Sequence, residues 1–323
     1  MDFPRPKVLA SKCLGFASCR YNGQTINDEF ATRLGGWVDF TTVCPEVEIG
    51  LGVPRSPVRL VERTSGAIRM VQPASGRDLT GEMARFSQRI IASLEAVDGF
   101  LLKSRSPSCG PLDVKVYNVG KEGSPLRRGR GLFAAAMMEA FPALAVEHEG
   151  RVLNFRLREH FLTKLFVNAR LRQIAARPGA RGLMEFQASN KLLLMAYNQT
   201  ALRQMGRLVA GLAADDPVSA IAQYARLLGQ AMARPPRAPA VINVCMHALG
   251  YFKKALGSRE KAYFLETLEQ YRAGRAPLLL LQGLLTAWSL QFKVDYLLGQ
   301  SFFQPYPREL FDLGDSGKGR AGD

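Results

Sequence analysis

The hydrophobic pattern of this 323-residue chain changes near residue 155, and this change limits the folds the chain can adopt. Before that point, short apolar runs of strand length alternate with stretches of helical spacing. After it, helical patterns follow one another with short connections, and no segment predicts a strand. We therefore expect an α/β domain with a largely parallel sheet at residues 1–155, followed by an all-α domain at residues 156–323.

Individual elements can be placed by their pattern. The runs Lys7–Ala10 and Gly99–Lys103 are largely apolar, as in strands that are buried on both faces. Two alternating runs at 58–62 and 67–71 flank Thr64-Ser65-Gly66 and predict a hairpin. Further strands are expected at 37–43 and 113–117, and helices at 79–97, 131–141, 156–177, 183–213, 218–233, 238–256, 259–271 and 277–298.

The positive charge of the chain is unevenly distributed. The formal net charge is +15, with 43 basic and 28 acidic residues. Residues 1–150 contain 19 basic and 16 acidic side chains, whereas the remainder contains 24 and 12. A basic second half favours an anionic macromolecule as partner, RNA or DNA ahead of a membrane, although a solvated basic surface has the same composition.

Three of the five cysteines follow predicted strands. Cys13 comes after the strand ending at residue 10, Cys44 directly after the strand ending at residue 43, and Cys109 in the loop after residue 103. The carboxyl ends of parallel strands share one edge of an open sheet, where ligand sites form. Three thiolates there can hold a 4Fe-4S cluster that leaves one iron open as a Lewis acid, or they can be reduced cysteines that pack as small apolar side chains.

The other two cysteines and the chain ends restrict the cellular setting. Cys19 is either a fourth ligand or a neighbour in the turn, and we favour the second; Cys245, in an apolar helix, is expected in the core. An odd number of cysteines argues against a disulfide framework. No apolar run reaches the about 18 residues of a spanning helix, and the first residues lack the apolar segment of a signal peptide. We expect a cytoplasmic protein with reduced thiols and no membrane partner.

Three loop motifs resemble those of the thiouracil desulfidase family. They occur in the family's order over about residues 5–150: SKCLG at 11–15 with CRYNG at 19–23, VCPEV at 43–47 and KSRSPSCG at 103–110. The resemblance implies that Cys13, Cys44 and Cys109 bind a 4Fe-4S cluster. It also implies that Glu46 and Ser106 are catalytic, Glu46 as a general base and Ser106 as a substrate contact or proton relay. Asn22 stands where the family usually has Asp.

The second half resembles a helical domain that is fused behind this catalytic domain in bacterial desulfidases acting on 4-thiouridine in tRNA. The similarity lies at 190–196, 247–254, 271–274 and 305–310, with Asn190 and Tyr197 where His is usual. It implies non-redox, hydrolytic removal of sulfur from tRNA. Two alternatives remain open: a desulfidase of free thiolated bases such as 2-thiouracil, and a non-enzymatic, metal-containing RNA-binding protein.

Basic residues near the junction of the two halves are expected to contact tRNA phosphates, although a single residue of this kind is more often a solvated surface charge. A second candidate patch is Lys253-Lys254, beside Tyr251-Phe252. The junction residues are Arg156, Arg158, Lys164, Arg170, Arg172, Arg177 and Arg181.

Overall fold

The computed structural model describes residues 3–118, 125–212 and 216–315. The chain divides into two compact units. The first comprises the residues up to Arg172 together with those from Glu309 onward, and the second comprises Gln173–Arg308. Each unit has its own set of helices, but all the strands of the described residues belong to the first.

The first unit contains strands and helices in alternation. Its strands are β1 (Lys7–Ser11), β2 (Asp39–Val43), β3 (Arg59–Glu62), β4 (Ile68–Gln72), β5 (Arg77–Asp78), β6 (Gly99–Leu102), β7 (Val114–Asn118), β8 (Arg127–Gly129) and β9 (Ala145–His148). Its helices are α1 (Glu29–Gly35), α2 (Pro45–Glu48), α3 (Thr80–Ser93), α4 (Leu132–Ala140) and α5 (Phe155–Ala176), the last of which crosses into the second unit.

One sheet of the first unit is entirely parallel. Its strand order is β2-β1-β6-β9, so β1 and β6 are central, and Val8 is paired with Phe40 on one side and Gly99 on the other. The side chains of β1 from Val8 to Ala10 are fully buried, as its apolar run predicts. Because all four strands run the same way, their carboxyl ends lie along one edge.

A second sheet is mixed, with the order β5-β4-β3-β7-β8. The predicted hairpin is present as β3 and β4, which pair antiparallel, while β3 and β7 pair in parallel. The expectation of an α/β region with a parallel sheet followed by a helical region is confirmed. The division into two sheets was not anticipated, because strand patterns carry no record of which strands pair.

The core of the first unit lies between the sheets and two helices. Phe100 of β6 and Leu60 of β3 are fully buried with Met83 of α3 and with Phe133 and Met137 of α4. Each such side chain stabilises the fold by about 1.5–3 kcal/mol relative to an exposed one. This packing holds the carboxyl ends of β1, β2 and β6 in fixed positions.

The first part of α5 belongs to the first unit, although the sequence boundary was placed before it. Asp98, 1% exposed, pairs with Arg172 at 2.9 Å, and the Asn168 amide donates to the carbonyl of Asp98 at 3.1 Å. Phe166 contacts Phe3 edge to face. Because these contacts tie α5 to β6 and the N-terminal segment, the structural boundary falls at residue 172.

The second unit is helical throughout its described residues. Its elements are α6 (Ala180–Ser189), α7 (Lys191–Tyr197), α8 (Gln199–Ala210), α9 (Pro217–Ala231), α10 (Ala238–Leu249), a 3-10 turn (Gly250–Phe252), α11 (Ser258–Arg272), α12 (Leu278–Gln291) and α13 (Asp295–Leu298). No described helix of the chain combines the length and the apolar character needed to cross a bilayer.

The helix predicted at 183–213 is wrong, because two asparagines interrupt it. Asn198 has extended backbone angles, and its side chain accepts from the amide of Ala201 at 3.0 Å, which begins α8. Asn190 is buried, donates to the carbonyl of Phe186 at 2.8 Å and accepts from the Ser301 hydroxyl at 2.7 Å. Local amphipathic spacing continues across both positions, so the pattern concealed the breaks.

Candidate active site

A cavity of about 910 Å³ lies where the parallel strands end. Cys13, Cys44 and Cys109 line it together, each from the loop that follows a different strand. The sequence predicted that these loops would meet, and the structure brings all three cysteines to one site. Cys44 and Cys109 are buried, whereas Cys13 is partly exposed.

Local hydrogen bonds fix each cysteine loop. The amide of Lys12 donates to the carbonyl of Val43 at 2.8 Å, which ties the Cys13 loop to the end of β2. Cys44 is the N-cap residue of α2. In the third loop, the Ser106 hydroxyl accepts from the amide of Cys109 at 3.1 Å. The sulfur positions are thus set by backbone contacts.

The thiols are close enough to influence one another electrostatically. Burial, with an additional contribution from Cys44, raises the pKa of Cys13 to about 11. Burial also raises the pKa of Cys109, and the nearby thiols of Cys13 and Cys44 raise it further. Burial and the neighbouring Cys44 raise the pKa of Cys19 to about 12. The site therefore favours neutral thiols until a metal displaces their protons, since coordination deprotonates a thiol outright.

The donor set fits an iron–sulfur cluster. Among the residues that the structure describes, no group of three or more His, Cys, Asp or Glu is arranged to hold a single metal ion. Iron–sulfur clusters are held by cysteine thiolates, and the three candidate thiols line this cavity. Hydrogen-bond donors also face the sulfurs: Arg55 Nη2 lies 3.9 Å from Cys44 Sγ, and Ser108 Oγ lies 3.8 Å from Cys109 Sγ. Such donors adjust the potential of a cluster.

Glu46 lies in the first turn of α2 and is held from two sides. Arg55 donates to its Oε2 at 2.8 Å, and Ser108 donates to its Oε1 at 2.8 Å. Ser108 and Ser106 are 2.9 Å apart through their hydroxyl oxygens. Glu46 and Ser106, predicted from separate motifs, therefore belong to one hydrogen-bonded chain that Ser108 joins.

Sequence reasoning missed Ser108 and Arg55 as members of this chain. Ser108 is 1% exposed and adjoins Cys109 in the third motif, which was the available signal. Arg55 carries no such signal. Its guanidinium also donates to the carbonyls of Cys19 and Gly52, both at 3.0 Å. Cys19 is buried and lines the same cavity, and its carbonyl is held by Arg55.

A second charged pair lines the same cavity. Lys103 contacts Glu149 through a short hydrogen bond, and the Ser104 amide donates to Glu149 at 2.8 Å. Burial by itself raises the pKa of Glu149, but the bonds from Lys103 and Ser104 outweigh it and hold the pKa below its usual value. Glu149 is therefore an anion next to the site, neutralised by Lys103.

Three of the residues predicted to contact phosphate are buried or paired within the protein. Arg158 is 3% exposed and donates to the carbonyls of Val152 and Gly314, and Lys164 is buried, which lowers its pKa to about 8. Arg172 is paired with Asp98. The prediction is wrong for Arg158 and Lys164, because both side chains are buried. Arg172 is partly exposed and stays a prediction, although Asp98 is its partner in the structure. The pattern of basic residues had not distinguished buried from exposed positions.

The other predicted phosphate contacts lie closer to solvent. Arg170 is half-buried over the ring of Phe3, 5.0 Å from its centroid, and burial lowers its pKa to about 10. Arg156 and Arg177 are exposed. Arg181 is exposed and pairs with Glu185 at 2.8 Å. These four residues stay predictions for RNA contact.

Known proteins resemble each half of the chain. The family profile described as 2-thiouracil desulfurase matches residues 8–149. The uncharacterized protein YbbK of Bacillus subtilis (strain 168) is 30% identical over 149 residues, which cover 44% of this chain and 96% of YbbK. The chain belongs to the 2-thiouracil desulfurase family. It is therefore an enzyme of the thiouracil desulfidase type, and the cavity between its cysteine loops is the candidate active site.

Further matches concern the rest of the chain and a solved structure. The profile of a protein of unknown function, DUF1722, matches residues 191–307. The uncharacterized protein YbgA of Escherichia coli (strain K12) is 26% identical over 160 residues, 48% of this chain and 93% of YbgA. A solved structure of TudS, a 4Fe-4S-dependent thiouracil desulfidase, is 30% identical; the match covers 46% of this chain and 93% of TudS, with a TM-score of 0.36.

Proposed function

We propose that this enzyme removes sulfur from 4-thiouridine in tRNA, giving uridine and hydrogen sulfide, with a 4Fe-4S cluster bound by Cys13, Cys44 and Cys109. One observation carries the chemistry: three thiols and the Glu46 carboxylate line one cavity at the ends of parallel strands. The reaction exchanges a C=S bond for a C=O bond with one water, so no electron donor is needed.

The cluster and the protein have separate tasks in this proposal. When bound, the cluster supplies an iron with a free coordination position, which attracts the soft sulfur of a thiocarbonyl. Glu46 accepts a proton from the attacking water as general base. Arg55 holds this carboxylate in place from Oε2, while Ser108 donates to Oε1. Ser106, hydrogen-bonded to Ser108, then passes a proton toward the departing sulfur.

The rim of the cavity favours an anionic substrate over a free base. Eight cationic side chains line the cavity, of which Arg55 and Lys103 are paired with Glu46 and Glu149. The other six form no ion pair with a described residue, and Arg105, Lys115 and Arg128 among them are exposed. A free thiolated base has no phosphate that these cations could bind, whereas a nucleotide within RNA carries one. The remaining three are Lys12, Arg20 and Arg59.

The experiment is anaerobic incubation of the reconstituted full-length protein with tRNA that contains 4-thiouridine. Released sulfide and the nucleoside composition of the tRNA are measured, with 2-thiouracil as a parallel substrate. We expect 4-thiouridine in the tRNA to be replaced by uridine, with one sulfide released for each nucleoside converted. Desulfuration of 2-thiouracil alone would support the free-base alternative, and a colourless zinc protein without activity would support the non-enzymatic one.

Cysteine variants test the ligand set in the same assay. Cys13→Ala, Cys44→Ala and Cys109→Ala should each lose both the visible absorbance of the cluster and the activity, because each removes one thiolate. Cys245→Ala is the matched control, since Cys245 is fully buried in α10 of the other unit. If a variant keeps both the cluster absorbance and the activity, the cysteine that it replaces is not a cluster ligand.

A further inference from the structure

The second unit carries a pair of stacked tyrosines on its surface. The rings of Tyr251 and Tyr296 have centroids 5.5 Å apart and planes inclined by 20°. Tyr251 is 54% exposed and Tyr296 is 40% exposed, so much of each ring faces solvent. Stacked and accessible rings of this kind are unusual as core packing, because their contact area is only partly removed from water.

Neighbouring residues hold the two tyrosines in place. Phe252, next to Tyr251, is fully buried and contacts the rings of Trp288 and Phe292. Leu297, next to Tyr296, is also fully buried. These two residues supply the core packing of their segments, so the tyrosines are not required for it. Both rings are thus presented outward from anchored backbone.

Exposed lysines lie close to both tyrosines in the sequence. Lys253 and Lys254 follow Tyr251 within one turn, and Lys293 precedes Tyr296 by three residues. The backbone of Lys293 has a φ of 54°, a region in which glycine would be unstrained. This position therefore carries a lysine although glycine would fit the backbone with less strain. Among nearby acidic side chains, Glu260 is hydrogen-bonded to the amide of Gly257, and Asp295 is exposed.

We propose that this tyrosine platform, Tyr251 and Tyr296 with Lys253, Lys254 and Lys293, binds an unpaired nucleotide segment of RNA. A base stacks on an aromatic face, and the phosphates on either side of it pair with lysines. This combination fits single-stranded nucleic acid better than an apolar partner helix, which would require a groove without charges. The inference rests on the proposed function, because tRNA is the RNA substrate proposed above.

Binding of RNA without turnover tests the platform. The full-length cluster-loaded protein is titrated anaerobically into a fluorescent single-stranded oligoribonucleotide that contains no thiolated base, and anisotropy is followed. We expect Tyr251→Ala and Tyr296→Ala each to weaken binding by at least about fivefold, the lower limit for loss of one stacked base. Tyr251→Phe and Tyr296→Phe keep an aromatic face and should restore most of the affinity.

A matched control and a salt series separate stacking from charge. Tyr263 is an exposed tyrosine on α11, and Tyr263→Ala should bind as the wild type does. Lys253→Ala and Lys254→Ala should each reduce the slope of log affinity against log salt by about 0.7, the value for one phosphate contact on a single strand. A duplex of the same sequence should lose much less affinity than the single strand when either tyrosine is replaced.

The outcomes distinguish this inference from the proposed function. Unchanged affinity in both tyrosine-to-alanine variants, or an equal loss in Tyr263→Ala, overturns the platform. Loss of affinity in the phenylalanine variants equal to that in the alanine variants overturns the stacking argument. Desulfuration is measured separately, with wild-type protein and tRNA that contains 4-thiouridine, so failed chemistry with intact RNA binding contradicts the proposed function and leaves the platform in place.

Discussion

Replacement of Arg55 by methionine removes one partner of a buried ion pair at the active site. The side chains of Arg55 and Glu46 are 4% and 11% exposed, and their closest atoms are 2.8 Å apart. Loss of one partner leaves the Glu46 charge buried without its cation, a change that costs about 3–5 kcal/mol in comparable pairs. Arg55→Met should therefore lower the free energy of unfolding by about this amount.

The unfolding assay must report on the first unit alone. The chain has two tryptophans, Trp37 in the first unit and Trp288 in the second. In a Trp288→Phe background, the fluorescence of Trp37 in urea follows the unfolding of the first unit in cluster-free protein. For a unit of this size, the loss corresponds to about 6–20 °C in the melting temperature.

Two further variants decide whether the ion pair is the cause. Arg77→Met breaks an exposed pair with Glu82 at 3.3 Å and should cost less than about 1 kcal/mol. Adding Glu46→Gln to Arg55→Met should recover part of the loss, because the unpaired charge is removed. A loss in Arg55→Met no larger than that of the Arg77→Met control would refute the reasoning.

Three other perturbations have defined outcomes. Gly131→Ala would place a Cβ 2.4 Å from the carbonyl oxygen of Ser108, so the loop that carries Cys109 must move; we expect reduced cluster absorbance, with Gly283→Ala, which meets open space, as the control. Ser108→Ala breaks the link between Ser106 and Glu46 and should lower kcat at least about tenfold with the cluster absorbance kept; an unchanged kcat would remove Ser108 from the proton path. Burial lowers the pKa of His160 to about 3, against an ordinary value of 6.5, so the unfolded chain binds the extra proton between those pH values. The free energy of unfolding should be highest above pH 6.5 and fall as the pH decreases toward 3; His160→Leu should flatten this dependence relative to a His247→Gln control, and an unaltered slope would contradict the assignment.

The convergence of the three cysteines was predictable because their position depends on a general property of parallel sheets. Cys13, Cys44 and Cys109 each follow an apolar strand, and parallel strands end at one edge. Glu46 and Ser106 were added by resemblance to family motifs. Arg55 and Ser108 were missed, since their importance arises from contacts across 9 and 62 residues of chain with Glu46.

For the basic residues, the sequence did not show which side chains are buried and which are exposed. Arg158 and Lys164 share their composition and spacing with surface cations, yet both are buried within the first unit. The net charge predicts an anionic partner for the chain as a whole, which stays a prediction, and it does not indicate which residues would contact that partner. Exposure favours a different set of candidates, lining the cavity and near Tyr251 and Tyr296.

Local sequence patterns were sufficient for the strand and helix types, for the change of architecture near residue 155 and for three convergent cysteines. These properties depend on neighbours within a few residues or on strand direction. Four features could be found only in the folded chain. They are the pairing of the strands into two sheets, the assignment of α5 to the first unit, the helix breaks at Asn190 and Asn198, and the hydrogen bonds of Arg55 and Ser108 to Glu46. Each depends on contacts between residues distant in sequence, or on a backbone conformation that hydrophobic periodicity does not encode.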